Sequence, residues 1–183
     1  HLSSRRQRQM CIRDRYVPDY SLDKLWFETE ENFETINQEQ ITPPNHIGFT
    51  CGAFDLMHAG HALMLKEAKS VCEWLVVGVQ EDPSLDRQSK NKPIQTYEER
   101  VEMVTACKYV DEIVLYKTEQ DLYDLLKDMK PDIRIIGADW QGKEFTGHDL
   151  DIKIYYNTRN HDYSTSSLRR RVFIEESKKE RNE

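Results

Sequence analysis

Nothing in the sequence is long and apolar enough to cross a bilayer. The longest unbroken apolar stretch is the short run from Trp74 to Val79, against the roughly 20 residues that a spanning helix needs. No apolar stretch follows the basic start, so no secretory signal is read and a cytoplasmic location is expected. Cysteine is scarce: Cys11, Cys51, Cys72 and Cys107 are far apart and form no C-x-x-C pair, which excludes a zinc knuckle. The last three are read as small buried apolar residues in a reducing compartment. An excess of positive charge is also missing. The formal net charge of -7 argues against a nucleic-acid binder, which would show a basic face. An acidic chain can still hold a basic pocket for a phosphate ligand. No internal repeat is present.

What is there divides into four segments. Residues 1–15 are basic and aperiodic and are read as a non-native or disordered arm. Residues 16–45 are an acidic extension ending at Pro43-Pro44, with Leu22, Leu25, Trp26 and Phe33 spaced for one short amphipathic helix. Residues 46–175 alternate strand and helix. Residues 176–183 form a charged tail. Within the third segment, strands are predicted at 46–51, 74–79, 112–115, 133–137 and 152–156. Helices are predicted at 60–71, from Thr96 with Glu99 completing a capping box, at 121–129 with Leu122, Leu125 and Met129 inward, and at 164–178. Such alternation predicts an α/β, Rossmann-like, doubly wound parallel five-stranded sheet with helices on both faces. Ligands of such sheets bind beyond the carboxyl ends of the strands.

The chemically richest segment sits at such an end. In Gly52-Ala-Phe-Asp-Leu-Met-His-Ala-Gly-His61 a strand runs into a tight turn and a helix begins near Gly60. Helix amides and dipole then face the turn and suit a phosphate. His58 and His61 flank Gly60, where backbone can approach a ligand closely. Two imidazoles so spaced can donate to non-bridging phosphoryl oxygens as charge builds. Of the metal-ligating residue types only Asp55 is close, so no metal site is expected.

These residues resemble the H-x-G-H signature of the nucleotidyltransferase superfamily, and within it the cytidylyltransferases of the glycerol-3-phosphate type. The likeness covers residues 48–171. Lys108-Tyr-Val-Asp-Glu-Ile-Val, Gly137-Ala-Asp-Trp-Gln-Gly-Lys143 and Arg159 through Ser164-Thr165-Ser166 follow in the family's order. The resemblance implies transfer of CMP from CTP to glycerol-3-phosphate, with pyrophosphate released and Mg2+ carried on the triphosphate. His58, His61, Lys92 and Arg159 would be catalytic. Cys51, Gly52, Ala53, Phe54, Asp55, Gly60, Asp82, Lys90, Arg100, Asp139, Trp140, Ser164, Thr165 and Ser166 would contact substrates. Independently of the family, Arg159 and the helix start at Ser164 are expected to form an anion clamp. Asn160 and Asp162 stand where the family prefers Thr and Gly. The partners implied are CTP and a small phosphorylated alcohol, without nucleic acid or membrane, in a homodimer. The alternatives are a related cytidylyl- or adenylyltransferase acting on phosphoethanolamine, phosphocholine or a sugar phosphate, and a nucleotide-binding module without catalysis.

Overall fold

The computed structural model describes residues 46–87 and 89–181. The readings made for residues 1–45, including Cys11 and the amphipathic stretch, lie outside them. Five parallel strands form one sheet: β1 (Ile47–Gly52), β2 (Trp74–Gln80), β3 (Glu112–Tyr116), β4 (Ile133–Gly137) and β5 (Lys153–Asn157), in the order β3-β2-β1-β4-β5. The helices are α1 (Ala59–Ser70), a single turn α2 (Pro83–Asp86), α3 (Tyr97–Thr105), α4 (Glu119–Met129) and α5 (Thr165–Glu180). The α/β parallel architecture is the one the sequence predicts.

Local sequence explains most boundaries. Thr96 and Glu99 form the predicted capping box of α3. Thr118 and Asp121 form a second one, which starts α4 two residues earlier than predicted. That helix buries Leu122, Leu126 and Met129, so Leu126 and not Leu125 takes the inward position. Lys130 ends it in the left-handed region, at φ 48°, and Pro131 follows. Asp82 caps α2 by accepting from the Ser84 amide, with Pro83 in the first turn. The last helix runs on through Glu180, into the segment read as a tail. The cysteines at 51, 72 and 107 are free and half-buried, less enclosed than expected; Cys72 and Cys107 pack against the core from its margin.

The core lies where α1 and α3 cover one face of the sheet. Leu65 and Ala68 of α1 and Val104 of α3 pack on Leu75, Val77, Val79, Ile133 and Ile135, all nearly or wholly inaccessible. Right-handed crossovers place α4 on the opposite face, because the chain passes from β3 back across β1 to β4.

This return is the point where strand order reverses. β1 and β2 stay paired from Ile47–Trp74 through Gly52–Val79. β1 and β4 pair only at Gly48–Ile133 and Phe49–Arg134. Beyond those residues the two strands are not bridged, and a cavity of about 710 Å³ opens there, with Gly52 on one side and Gly137 on the other. It is the crevice expected of an open parallel sheet.

Candidate active site

Between β1 and α1 the backbone turns sharply, with Phe54 at φ 53° and Leu56 at φ 47°. Phe54 pays for its left-handed geometry by burial in the core. The turn ends at His58, the N-cap of α1. His58 Nδ1 accepts from the Gly60 amide at 3.0 Å, and His61 Nδ1 accepts from the His58 amide at 3.3 Å. Each ring therefore uses Nδ1 as an acceptor, which fixes the tautomer and leaves the proton on Nε2. The rings stack with centroids 4.1 Å apart.

Burial holds the His58 imidazole below its ordinary pKa, and the charges of His161, Arg159 and Arg171 add to the effect. Burial likewise lowers His61, to about 4, with His58 contributing and Asp55 opposing. Both rings are neutral at pH 7 and each presents one N–H. In that state an imidazole can still donate one hydrogen bond to a phosphoryl oxygen.

The final helix meets this pair. Ser164 caps α5 by accepting from the Ser167 amide at 3.2 Å. Thr165 Oγ1 donates to the Asp55 carbonyl at 3.3 Å and lies 3.4 Å from His58 Nε2. Ser166 is exposed in the same turn. Arg159 is exposed and donates to the Tyr163 carbonyl at 3.3 Å. The histidine pair, the start of α5 and the charge of Arg159 thus come together, although they are about a hundred residues apart in sequence.

The other candidates fall into two groups. Cys51 and Gly52 end β1 and line the crevice, as do Asp139 and Trp140, which occupy a single 3-10 turn after β4. A β-carbon on Gly137 would collide with the Asp139 carboxylate, so glycine sets that side chain's position. In the second group, polar atoms are spent on the protein itself. Arg100 is 1% exposed. Its guanidinium donates to the carbonyls of Ala53 and Gln80 at 2.7 Å, of Thr96 at 3.2 Å and of Glu81. Asp55 is 6% exposed; it accepts from the amides of Ile94 and Gln95 and from Arg169. Asp82 is held below the usual carboxylate range by the Ser84 hydroxyl and amide. Lys90 and Lys92 are exposed on the loop that Asp55 anchors.

Three residues that sequence reasoning passed over belong to the same region. The His161 ring packs on Gly60 so closely that a β-carbon there would lie 2.9 Å from His161 Cε1, and His161 Nδ1 is buried without a partner. Its place in the arginine-bearing segment was the available signal. Arg134 is buried under the crevice beside Cys51 and 5.1 Å from the Phe145 ring, and it donates to the Thr146 carbonyl. Glu119 accepts from Thr146 Oγ1 and pairs with Arg87 at 3.1 Å. A lone arginine inside an apolar strand, Ile133-Arg-Ile-Ile, was the signal for Arg134. Among the described residues, no group of three or more His, Cys, Asp or Glu is placed to hold a metal ion.

A βα turn and a second helix start that meet at two stacked imidazoles, on a five-stranded parallel sheet, place the chain among the α/β folds that take ligands at strand ends. Comparison with known proteins narrows the class. Residues 49–171 match the cytidylyltransferase-like family; the chain belongs to it and is a nucleotidyltransferase. It is similar to the bifunctional protein HldE of Nitratiruptor, at 36% identity over 121 residues, 66% of this chain and 26% of that protein. The likeness to HldE of Helicobacter pylori is 33% over 140 residues, 76% of this chain and 29% of that protein. The chain thus spans about a quarter of the length of the curated relatives it matches. The crystal structure of the lipopolysaccharide core biosynthesis protein from Thermoplasma volcanium is similar with a TM-score of 0.54 and 28% identity, covering 63% of this chain and 98% of that one. No helix among the described residues is long and apolar enough to cross a membrane.

Proposed function

We propose that the chain transfers CMP from CTP to the phosphate of a small phosphorylated alcohol, glycerol-3-phosphate in the primary reading, and works as a homodimer. The observation that carries it is the neutral His58–His61 pair, proton on Nε2, beside the hydroxyl-bearing start of α5. A phosphate oxygen of the acceptor attacks the α-phosphorus in line. The new P–O bond forms as the bond to the β-phosphate oxygen breaks, and pyrophosphate leaves with that electron pair. The two Nε2–H groups donate to the α-phosphoryl oxygens as negative charge gathers on them. Arg159 and the α5 start, Ser164 to Ser166, hold the leaving pyrophosphate. Lys90 and Lys92 bring in the anionic acceptor. Mg2+ arrives on the triphosphate as part of the substrate, because the Asp55 carboxylate is already engaged by two amides and a guanidinium. No nucleophilic side chain is needed, so positioning and charge stabilisation supply the rate.

A second reading takes a sugar phosphate as acceptor. It is supported by the crevice lining, where Trp140 and Phe145 offer flat apolar faces and Asp139, Glu144 and Asp149 offer acceptors for hydroxyls. The relative named for lipopolysaccharide core biosynthesis points the same way. Pyrophosphate release with CTP or ATP against glycerol-3-phosphate, sugar phosphates, phosphocholine and phosphoethanolamine decides among them. Release with no acceptor in the panel would overturn the catalytic reading.

A further inference from the structure

We infer that Arg169 is a positioning residue that locks the acceptor-binding loop to the helix gripping the triphosphate. This rests on the function proposed above for the two halves of the site. Arg169 lies four residues after Thr165 on α5, and therefore on the same face one turn along. The first turn of that face touches the reacting centre: Thr165 Oγ1 reaches the Asp55 carbonyl and His58 Nε2. The next turn touches the loop. One nitrogen of Arg169, Nη2, donates both to Asp55 Oδ2 and to the carbonyl of Lys92, each at 2.7 Å.

Asp55 completes the lock from its other oxygen. Oδ1 accepts from the amides of Ile94 at 2.9 Å and Gln95 at 3.0 Å, and Gln95 Oε1 in turn accepts from the Leu56 amide at 2.6 Å. A single buried carboxylate thus holds the βα turn, the loop after Lys92 and α5 together. A charge-assisted pair with the carboxylate nearly excluded from water is a strong and directional tie. Residues 89–92 have no buried side chain of their own, so the main-chain bond at Lys92 is a principal tie on the backbone from which its side chain projects. The consequence is energetic coupling. Whatever orders the start of α5, the triphosphate above all, also orders the backbone that carries Lys92.

Amide exchange and steady-state kinetics of Arg169→Met test this. Helix α5 has no buried residue, so the change leaves the core intact. Arg169→Lys, which keeps one charge but not the forked geometry, is the companion variant. In the parent protein the Ile94 and Gln95 amides should be protected, and CTP should protect them further. In Arg169→Met they should exchange at least tenfold faster and lose the response to CTP. The acceptor KM should rise about tenfold with the CTP KM within twofold of the parent's, and Arg169→Lys should recover part of both effects. Unchanged exchange at Ile94 and Gln95, or equal increases in both KM values, would overturn the inference. If the parent turns over no acceptor, the proposed function fails while the exchange measurement with CTP still decides whether the lock exists.

Discussion

His58 and His61 each accept a backbone N–H on Nδ1, and their rings stack 27° from parallel with the protons on Nε2, that of His58 facing Thr165 Oγ1 at 3.4 Å. An N–H donor to a developing oxyanion accounts for about a hundredfold in turnover. His61→Ala is expected to lower kcat by at least that factor while the far-ultraviolet circular dichroism stays that of the parent. Near-normal turnover would remove the pair from the chemistry.

The lowered pKa of His61, about 4, has a thermodynamic counterpart. Unfolding returns the ring to about 6.5. Above that pH the ring is neutral in both states and titration leaves stability unchanged. Between pH 6.5 and 4 the unfolded chain takes up the proton and the folded one does not. Stability therefore falls as pH falls through this window, by on the order of 3 kcal/mol once below it. Urea midpoints at pH 7 and pH 5 should converge in His61→Asn relative to the parent.

Gly60 has room for a hydrogen only. A β-carbon there would sit 2.9 Å from Cε1 of both His58 and His161. Gly60→Ala should improve helix propensity by roughly 0.5–1 kcal/mol yet displace the rings and reduce kcat at least tenfold. A variant as active as the parent would show that the imidazoles do not need their present places.

Arg159 is exposed and donates to the Tyr163 carbonyl, so its removal should spare the fold. Arg159→Ala is expected to raise the CTP KM about tenfold, the size of one charge-assisted phosphate contact. Calorimetric titration with CTP provides the direct reading, and unchanged affinity would exclude it from the clamp.

Arg100 is the opposite case. Arg100→Met would take the guanidinium donor away from the carbonyls of Ala53, Gln80 and Glu81. The loss should be on the order of 3 kcal/mol or more, visible as a lower midpoint in thermal or urea unfolding before any kinetic effect is interpreted.

The strands and helices were legible because each carries its signal locally. The run Trp74–Val79 has no choice but burial, and Thr96 with Glu99 announces a helix start. Asp82-Pro83 carried a similar signal for α2 and was hidden by the charges around it. Leu125 and Leu126 both fit the stripe that begins at Leu122; the capping of α4 at Thr118 and its packing choose between them. His58 and His61 could be read as a pair because they share one turn. The engagement of Arg100 with carbonyls and of Asp55 with Arg169 could not, since each depends on segments that only the folded sheet brings side by side. For the same reason Arg134 and Glu119 were invisible as neighbours: they meet through Thr146, on a stretch with no periodicity of its own.

The early parting of β1 from β4, after Phe49 and Arg134, implies a division of labour in how this enzyme can change. The mouth is a seam in the sheet, and the strand ends at Gly52 and Gly137 that frame it belong to the scaffold. Selectivity for a new acceptor should instead lie in the side chains of the segments that line the seam, residues 119–123 and 139–149. Grafting those stretches from a relative should carry acceptor preference with them, and the phosphoryl chemistry would travel unaltered.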